Sequence, residues 1–258
     1  MNSSLAKKVS TGVVKEAGNL LMRGLNKVKK VSFKAKSDIL TDFDIKSEKI
    51  ILNRIKKVFP THNILSEEEG FIDKHSKYTW VIDPIDGTIN YYHANAPFRI
   101  GLCLLKNKKP IIATLYNPIK KELYFAEKGK GAKLNNKNIH VNNNSKLENS
   151  VVMTHLSSKK EARIRIIHAL ENIFSKTLQI RMFGSGLAAM CYVASGRFHI
   201  FFNAKTSPWD ILPGALLVEE AGGRVTDIYG NKITLDSDSV LATNGKVHRE
   251  MLKLLRNV

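Results

Sequence analysis

Residues 80–93 read WVIDPIDGTINYYH, a stretch that joins a strand-like apolar run to two acidic side chains. The run at 80–82 indicates a buried strand, and Asp83 and Asp86 follow it around a proline. An Asx-type turn accounts well for one aspartate and poorly for the second. Two carboxylates at this spacing can also converge on one cation, and oxygen ligands favour Mg²⁺ over zinc. The stretch alone leaves a turn and a metal site both open.

The same stretch also resembles a known catalytic motif of another kind. In the haloacid-dehalogenase phosphatases, a D-x-D-G-T sequence at a strand end begins with an aspartate that acts as a covalent nucleophile. Here the residue two positions before Asp86 is Pro84. The nucleophile is therefore missing, and a mechanism through an aspartyl intermediate is excluded.

The composition describes a globular chain with a large core. It has 258 residues, of which 43% are hydrophobic, enough for one large domain or two closely packed halves. Cys103 and Cys191 lie in apolar segments, which predicts a reduced interior and a cytoplasmic location. No apolar run reaches the roughly 20 residues that span a bilayer, so we predict no membrane segment.

The chain is strongly basic. It carries 41 Lys and Arg residues against 23 Asp and Glu residues, a formal net charge of +18. Such a surface attracts polyanions and steers anionic substrates. Because the lysines are scattered through nearly every segment and form no stripe, the pattern favours at most a weak contact with RNA or another polyanion.

The order of the patterns divides the chain in two. Residues 1–145 begin with two amphipathic helical patterns and continue with strand-like runs, including 99–105, 110–117 and 121–128. Residues 146–258 alternate strand and helix patterns. We therefore predict an N-terminal α+β half with a largely antiparallel sheet and a C-terminal α/β half, separated near the polar segment 142–150.

Three further carboxylates stand at the ends of predicted elements. Asp44 follows Thr41 at capping-box spacing, and Asp210 opens an amphipathic helix, so each has an ordinary structural explanation. Glu67 follows a short apolar strand and could belong to a solvated loop. Taken one at a time, these explanations suffice. They do not explain why the ends of four separate elements together present five carboxylates.

Five segments, taken in order, resemble one known family over nearly the whole chain. They are SDILTDFD (37–44), ILSEEEG (64–70), WVIDPIDGTINYYH (80–93), RMFGSGLAAMCYVASGR (181–197) and SPWDILPGALLVEEAGG (207–223). Together they resemble the inositol monophosphatase family of Mg²⁺-dependent, lithium-sensitive phosphomonoesterases. The resemblance implies a layered α–β–α–β–α sandwich, in which residues 1–145 pack on residues 146–258, and a homodimer.

The resemblance also implies roles for individual residues. It implies that Mg²⁺ is held by the side chains of Glu67, Asp83, Asp86 and Asp210 and by the carbonyl of Ile85. The implied catalytic residues are Asp44, Thr88 and Glu67, of which Asp44 and Thr88 orient and deprotonate the attacking water. The implied substrate contacts are Gly87, Thr88, Gly184, Ser185, Gly186 and Asn203. The last metal ligand and the substrate loop thus belong to the half 146–258.

Two departures from the family pattern bear on the substrate. Asn203 stands where the family has a glutamate that contacts inositol, and Gly186 stands where alanine is typical. We therefore expect a small phosphomonoester that resembles inositol 1-phosphate. Histidinol phosphate, fructose 1,6-bisphosphate, NADP and adenosine 3′,5′-bisphosphate remain alternatives, as does a regulatory protein that binds RNA or the transcription machinery.

Overall fold

Helices and sheets alternate in five layers in the computed structural model, which describes residues 2–28, 30–35, 38–95, 97–156 and 160–256. Helices at 3–24 and 42–58 cover one face of a large sheet, and helices at 186–194 and 208–220 fill the space between that sheet and a smaller one. Helices at 160–174 and 248–255 cover the far face of the small sheet. The predicted α–β–α–β–α sandwich is confirmed.

The N-terminal elements form the first two layers. They are α1 (Ser3–Gly24), β1 (Val31–Ala35), β2 (Asp38–Thr41), α2 (Asp42–Val58), β3 (Asn63–Ser66), β4 (Gly70–Ile72), β5 (Tyr78–Asp86), α3 (Thr88–Tyr92), β6 (Arg99–Lys106), β7 (Lys109–Asn117), β8 (Glu122–Glu127), β9 (Ala132–Leu134) and β10 (Lys137–Ile139). The eight strands β3–β10 pair in the order β10-β9-β8-β7-β6-β5-β3-β4, and only the β3–β5 pair is parallel.

The C-terminal elements form the other three layers. They are β11 (Val151–Thr154), α4 (Lys160–Phe174), β12 (Gln179–Met182), α5 (Gly186–Ala194), β13 (Ile200–Asn203), α6 (Pro208–Glu220), β14 (Arg224–Thr226), β15 (Val240–Thr243) and α7 (His248–Leu255). The five strands pair in the order β12-β11-β13-β15-β14, in which β11 runs parallel to both its neighbours. Each sheet thus lies within one sequence half, while the boundary at 145/146 stays a prediction.

Strand β5 runs further than its apolar pattern suggests. It includes Asp83 and Asp86, which pair with Gly101 and Arg99 of β6. Three steps along β5 therefore match two along β6, so one extra residue forms a bulge. In a regular strand, residues three apart point to opposite faces; the extra residue brings both aspartates to one face.

The helices of the described chain are amphipathic or buried within the sandwich. Val13, Ala17 and Leu21 of α1, together with Ile51 and Ile55 of α2, are fully buried against the large sheet. Among the residues the structure describes, we find no helix with the length and apolar character needed to cross a membrane.

Candidate functional site

Three carboxylates from the two sequence halves meet at the end of β5. Asp83 and Asp86 come from the bulged end of that strand, and Asp210 comes from the first turn of α6. One carboxylate oxygen from each residue lies within 4.8 Å of the others. We call this group the carboxylate cluster. Three acidic groups so close repel one another strongly unless a cation lies among them.

Asp83 is the member of the cluster that most requires a cation. Its side chain is fully buried, and neither carboxylate oxygen has a hydrogen-bond partner among the residues that the structure describes. Burial raises the pKa of Asp83 well above its ordinary value, and the charges of Glu67, Asp86 and Asp210 raise it further. A buried charge is normally paired or bound to a metal. The unpartnered oxygens of Asp83 therefore fit a hard divalent cation such as Mg²⁺.

Asp86 has a second role, because it joins β5 to helix α5. Its Oδ2 accepts hydrogen bonds from Ser185 Oγ and from Leu187 N (2.8 Å), and its Oδ1 accepts one from Gly186 N (3.1 Å). Burial raises the pKa of Asp86, although these hydrogen bonds and the Arg99 guanidinium oppose the shift. Each carboxylate oxygen has two lone pairs, so Asp86 can hold the helix and still offer oxygen to a cation.

Asp44 and Thr88 lie together beside the cluster. Asp44 Oδ2 accepts from the backbone N (2.8 Å) and the hydroxyl of Thr41, in the capping box that the sequence indicates at the start of α2. Thr88 Oγ1 lies 3.0 Å from both Asp44 Oδ1 and the carbonyl oxygen of Ile85. A hydroxyl has one proton to donate, so Thr88 donates to one of these oxygens at a time.

Glu67 lies just beyond β3, which runs parallel to β5 as its neighbour. Its charge is the largest of the electrostatic effects that raise the pKa of Asp83, although burial of Asp83 is larger still. The loop that carries Glu67 is held by Glu48, a buried residue of α2 whose Oε1 accepts from the backbone N of Glu68 (3.1 Å) and Glu69 (3.3 Å). Sequence reasoning missed Glu48, because its position on α2 gives no sign of that loop.

The segment before α5 passes very close to the segment after β5. Gly87 has a φ of 91°, and a Cβ at this position would lie 3.1 Å from the carbonyl oxygen of Gly184. Gly184 itself has a φ of 69°. Asn90 holds the two segments together, since its Nδ2 donates to the carbonyl oxygens of Phe183 and Pro97 at 2.6 Å each. Asn90 is a second residue that the sequence analysis missed.

An open pocket adjoins these segments. It has a volume of about 460 Å³, and we call it the Phe183 pocket; it is lined by Asn90, Asn95, Pro97, His155, Leu156, Met182, Phe183 and Gly184. Asn203 does not line it. That side chain is 1% exposed and lies 2.7 Å, Nδ2 to Nε2, from the ring of His155. Asn203 was expected at the substrate surface, whereas the structure has His155 between it and the pocket.

Nearly the whole chain is similar in sequence to proteins of one known family. The sequence model of the inositol monophosphatase family matches residues 3–258. The chain belongs to the inositol monophosphatase family. A fructose-1,6-bisphosphatase/inositol-1-monophosphatase of Thermotoga maritima is 36% identical over 96% of this chain and 95% of its own.

Two further relatives carry a different name within the family. A Nus factor SuhB of Xylella fastidiosa is 34% identical over 87% of this chain and 82% of its own. The crystal structure of the extragenic suppressor protein suhB from Bartonella henselae superposes with a TM-score of 0.93 at 31% identity, over 98% of each chain. The relatives thus include proteins named as phosphatases and a protein named as a Nus factor.

Proposed function

We propose that this chain is a Mg²⁺-dependent phosphatase that hydrolyses a small phosphomonoester without a covalent intermediate. The observation that carries the proposal is the carboxylate cluster, in which the two fully buried oxygens of Asp83 have no hydrogen-bond partner in the described part of the chain. Bound Mg²⁺ would supply a Lewis acid that polarises the phosphoryl oxygens and lowers the pKa of a water molecule. The oxygens of Glu67, Asp83, Asp86 and Asp210, and the Ile85 carbonyl, would hold it.

The residues of the chain would then orient the attacking water. Asp44 is held rigidly by Thr41 through Oδ2, and its Oδ1 faces the Thr88 hydroxyl at 3.0 Å. Thr88 can donate to Asp44 while it accepts a hydrogen bond from water, and in this way the Asp44 carboxylate draws a proton from the water through the hydroxyl. Glu67 lies near enough to influence Asp83 and would assist at the same water.

The phosphate would bind at the backbone N–H groups of Gly87 and Thr88, beside the segment that leads into α5. Gly87 and Thr88 begin α3, and Gly184, Ser185 and Gly186 lead into α5. A tight turn of this kind offers N–H groups to an anion.

Phosphate release from a panel of esters tests the proposal. The panel is inositol 1-phosphate, histidinol phosphate, fructose 1,6-bisphosphate, NADP and adenosine 3′,5′-bisphosphate, each with Mg²⁺, with EDTA, and with Mg²⁺ plus Li⁺. We expect release that requires Mg²⁺ and is inhibited by Li⁺. Absence of release from every ester at saturating Mg²⁺ would contradict the proposal.

A second candidate function is binding to RNA in the manner of a transcription factor. Two observations favour it: the net charge of +18, and a relative named as a Nus factor. The affinity for a structured RNA would then fall steeply between 50 and 200 mM salt, as the release of counterions requires. The variant Asp86→Asn should keep this binding while it loses phosphatase activity. Affinity that does not vary with salt would eliminate the candidate.

The family resemblance also leads us to propose a homodimer. Helix α4 exposes Ile164, Ile167 and Phe174, whose relative exposures are 44%, 46% and 76%. Apolar side chains grouped on one helix are typical of an interaction surface. Light scattering of the purified protein should give twice the mass of 29.0 kDa. A monomer at micromolar concentration would contradict this expectation.

A further inference from the structure

The Phe183 pocket differs from a polyol site in its chemistry. Every described residue that lines it is uncharged or, in the case of His155, neutral at physiological pH, since burial lowers the pKa of this ring to about 4. Leu156 and Met182, of which 43% and 47% is exposed to solvent, form the apolar side of the pocket with Phe183, and Asn90 and Asn95 are the amide side chains that line it. Cyclitols and sugars present hydroxyl groups on every side, and an apolar wall leaves the hydroxyl groups that face it without hydrogen-bond partners.

The pocket reaches the carboxylate cluster through the first residue of α5. Gly186 N donates to Asp86 Oδ1 at 3.1 Å, and a Cβ on Gly186 would lie 3.7 Å from Cε1 of His155. A phosphoryl group at the cluster would therefore have its ester oxygen and leaving group directed toward the pocket. The pocket is the space next to the reacting phosphate that a leaving group larger than a few atoms would enter.

Strand pairing explains why His155 covers Asn203. Strands β11 and β13 are parallel, with Met153 opposite Phe201. Two residues further along both chains, His155 comes beside Asn203. The His155 ring is stacked on Phe201, with centroids 6.1 Å apart and planes at 28°, and its Nε2 is 2.7 Å from Asn203 Nδ2. Because an amide N–H donates, the bond to Asn203 leaves Nε2 as the acceptor of a neutral imidazole.

We propose that His155 is the specificity-determining residue of this chain, and that its ring joins Leu156, Met182 and Phe183 in an apolar wall for the leaving group. Asn203 is then a positioning residue, which orients His155 and makes no contact with the substrate. The inference rests on the proposed phosphatase function and names its substrate class: phosphomonoesters whose leaving group offers an apolar ring face, in preference to polyhydroxylated rings and to cationic amines.

Two six-membered rings make a matched test. Cyclohexyl phosphate and inositol 1-phosphate share a ring size and differ in five hydroxyl groups, and methyl phosphate is too small to enter the pocket. For the wild-type protein with Mg²⁺ we expect a lower KM for cyclohexyl phosphate than for inositol 1-phosphate. A trans-4-aminocyclohexyl phosphate should have a higher KM than cyclohexyl phosphate, because no described lining residue offers a counter-charge. The reverse order for either pair would overturn the proposal.

Variants of His155 separate the ring from its hydrogen bond. We expect His155→Ala to raise the KM for cyclohexyl phosphate about fivefold, the effect of losing part of an aromatic contact surface, with kcat and the kinetics on methyl phosphate unchanged. His155→Phe keeps a ring and should restore the wild-type KM to within about twofold. His75→Ala, at an exposed position, is the matched control. Equal effects of His155→Ala on methyl and cyclohexyl phosphate would indicate a structural role only and overturn the proposal.

A double-mutant cycle tests whether Asn203 acts through His155. If it does, Asn203→Ala raises the KM of the wild-type protein and has no effect in the His155→Ala background, so the two changes are not additive. Additive effects would show that Asn203 contacts the leaving group itself, and would overturn its assignment as a positioning residue. Failure of the wild-type protein to hydrolyse even methyl phosphate would overturn the phosphatase function and this inference together. If the protein is active but His155→Ala leaves the ratio of the KM values for cyclohexyl and methyl phosphate unchanged, the inference alone is overturned.

Discussion

The carboxylate cluster and the Phe183 pocket adjoin each other but have opposite chemistry. The cluster brings carboxylate oxygens of Asp83, Asp86 and Asp210 within 4.8 Å, with repulsion that a bound cation or protonation of Asp83 would relieve. The pocket, in the part of the chain that the structure describes, is lined by uncharged side chains and an apolar wall. In the proposed function this contrast separates two tasks: the acidic residues would serve the reaction, and the neutral residues would select the leaving group.

The largest effect should come from Asp83→Asn. This change keeps the volume of the side chain and removes a proposed metal-ligand charge, whose oxygens have no hydrogen-bond partner among the described residues, so we expect phosphate release to fall about 10³-fold. Initial rates at saturating Mg²⁺ measure it. Asp236→Asn, the same change at an exposed residue that does not belong to the carboxylate cluster, should leave the rate unchanged. A loss of less than tenfold for Asp83→Asn would mean that the cluster does not carry the reaction.

A smaller loss of rate is expected when the water-orienting pair is broken. Thr88→Val removes the hydroxyl that lies 3.0 Å from Asp44 Oδ1, and should lower kcat about 10²-fold. Thr88→Ser keeps the hydroxyl and should retain most of the activity. The affinity for Mg²⁺, followed by isothermal titration, should be the same in all three proteins. Weaker Mg²⁺ binding in Thr88→Val would instead assign Thr88 to the metal site.

The burial and mutual repulsion of the carboxylates should make the stability of the metal-free protein depend on pH. The pKa of Asp83 is raised in the folded state, so the folded protein holds more protons than the unfolded chain, and stability falls as pH rises from the ordinary carboxyl range toward the raised pKa. In EDTA, the Tm of the wild-type protein should therefore fall more steeply above pH 4 than that of Asp83→Asn. Differential scanning calorimetry from pH 4 to pH 8 measures both curves, and parallel curves would refute the explanation.

Mg²⁺ should reverse that penalty. At a concentration of 100 Kd, a ligand stabilises the folded state by about 2.7 kcal/mol, which corresponds to a rise in Tm of roughly 5–10 °C for a chain of this size. The shift should disappear in Asp83→Asn and persist in His155→Ala, since the second change affects the pocket alone. An equal shift in both variants would place the ion elsewhere on the protein.

The smallest effect concerns the junction between cluster and pocket. Ser185→Ala removes the N-cap of α5 and its hydrogen bond to Asp86, and should lower the free energy of unfolding by about 1 kcal/mol. Urea denaturation measures it, with Ser237→Ala, in the surface turn after β14, as the comparison. No change in stability would show that the Asp86 hydrogen bond contributes nothing to the fold.

The sequence predicted the layers better than it predicted the contacts within them. The apolar runs at 99–105, 110–117 and 121–128 became β6, β7 and β8, because long regular patterns dominate local structure. The hairpin β1–β2 and the short helix α3 were not foreseen. The bulge in β5 was missed as well, since an extra residue in one strand is defined only by its partner strand.

The same limit applies to the candidate site. Asp83, Asp86 and Asp210 could be proposed from their motifs, and the structure brings their carboxylates together. The position of Asn203 beneath His155 depends on the pairing of β11 with β13, two strands separated by more than forty residues in the chain. No motif encodes that relationship, so the sequence could not show that His155 lines the pocket beside Asn203, and the substrate contact of Asn203 stays a prediction.

The most direct test of the account is the location of the metal. Mn²⁺ replaces Mg²⁺ at carboxylate sites and gives an anomalous signal, so crystals grown with Mn²⁺ would show where the ion binds. The account predicts an anomalous peak among the carboxylates of Asp83, Asp86 and Asp210, with Asp83 oxygen as a ligand. A map with no peak at the carboxylate cluster, at a Mn²⁺ concentration that supports phosphate release, would contradict it.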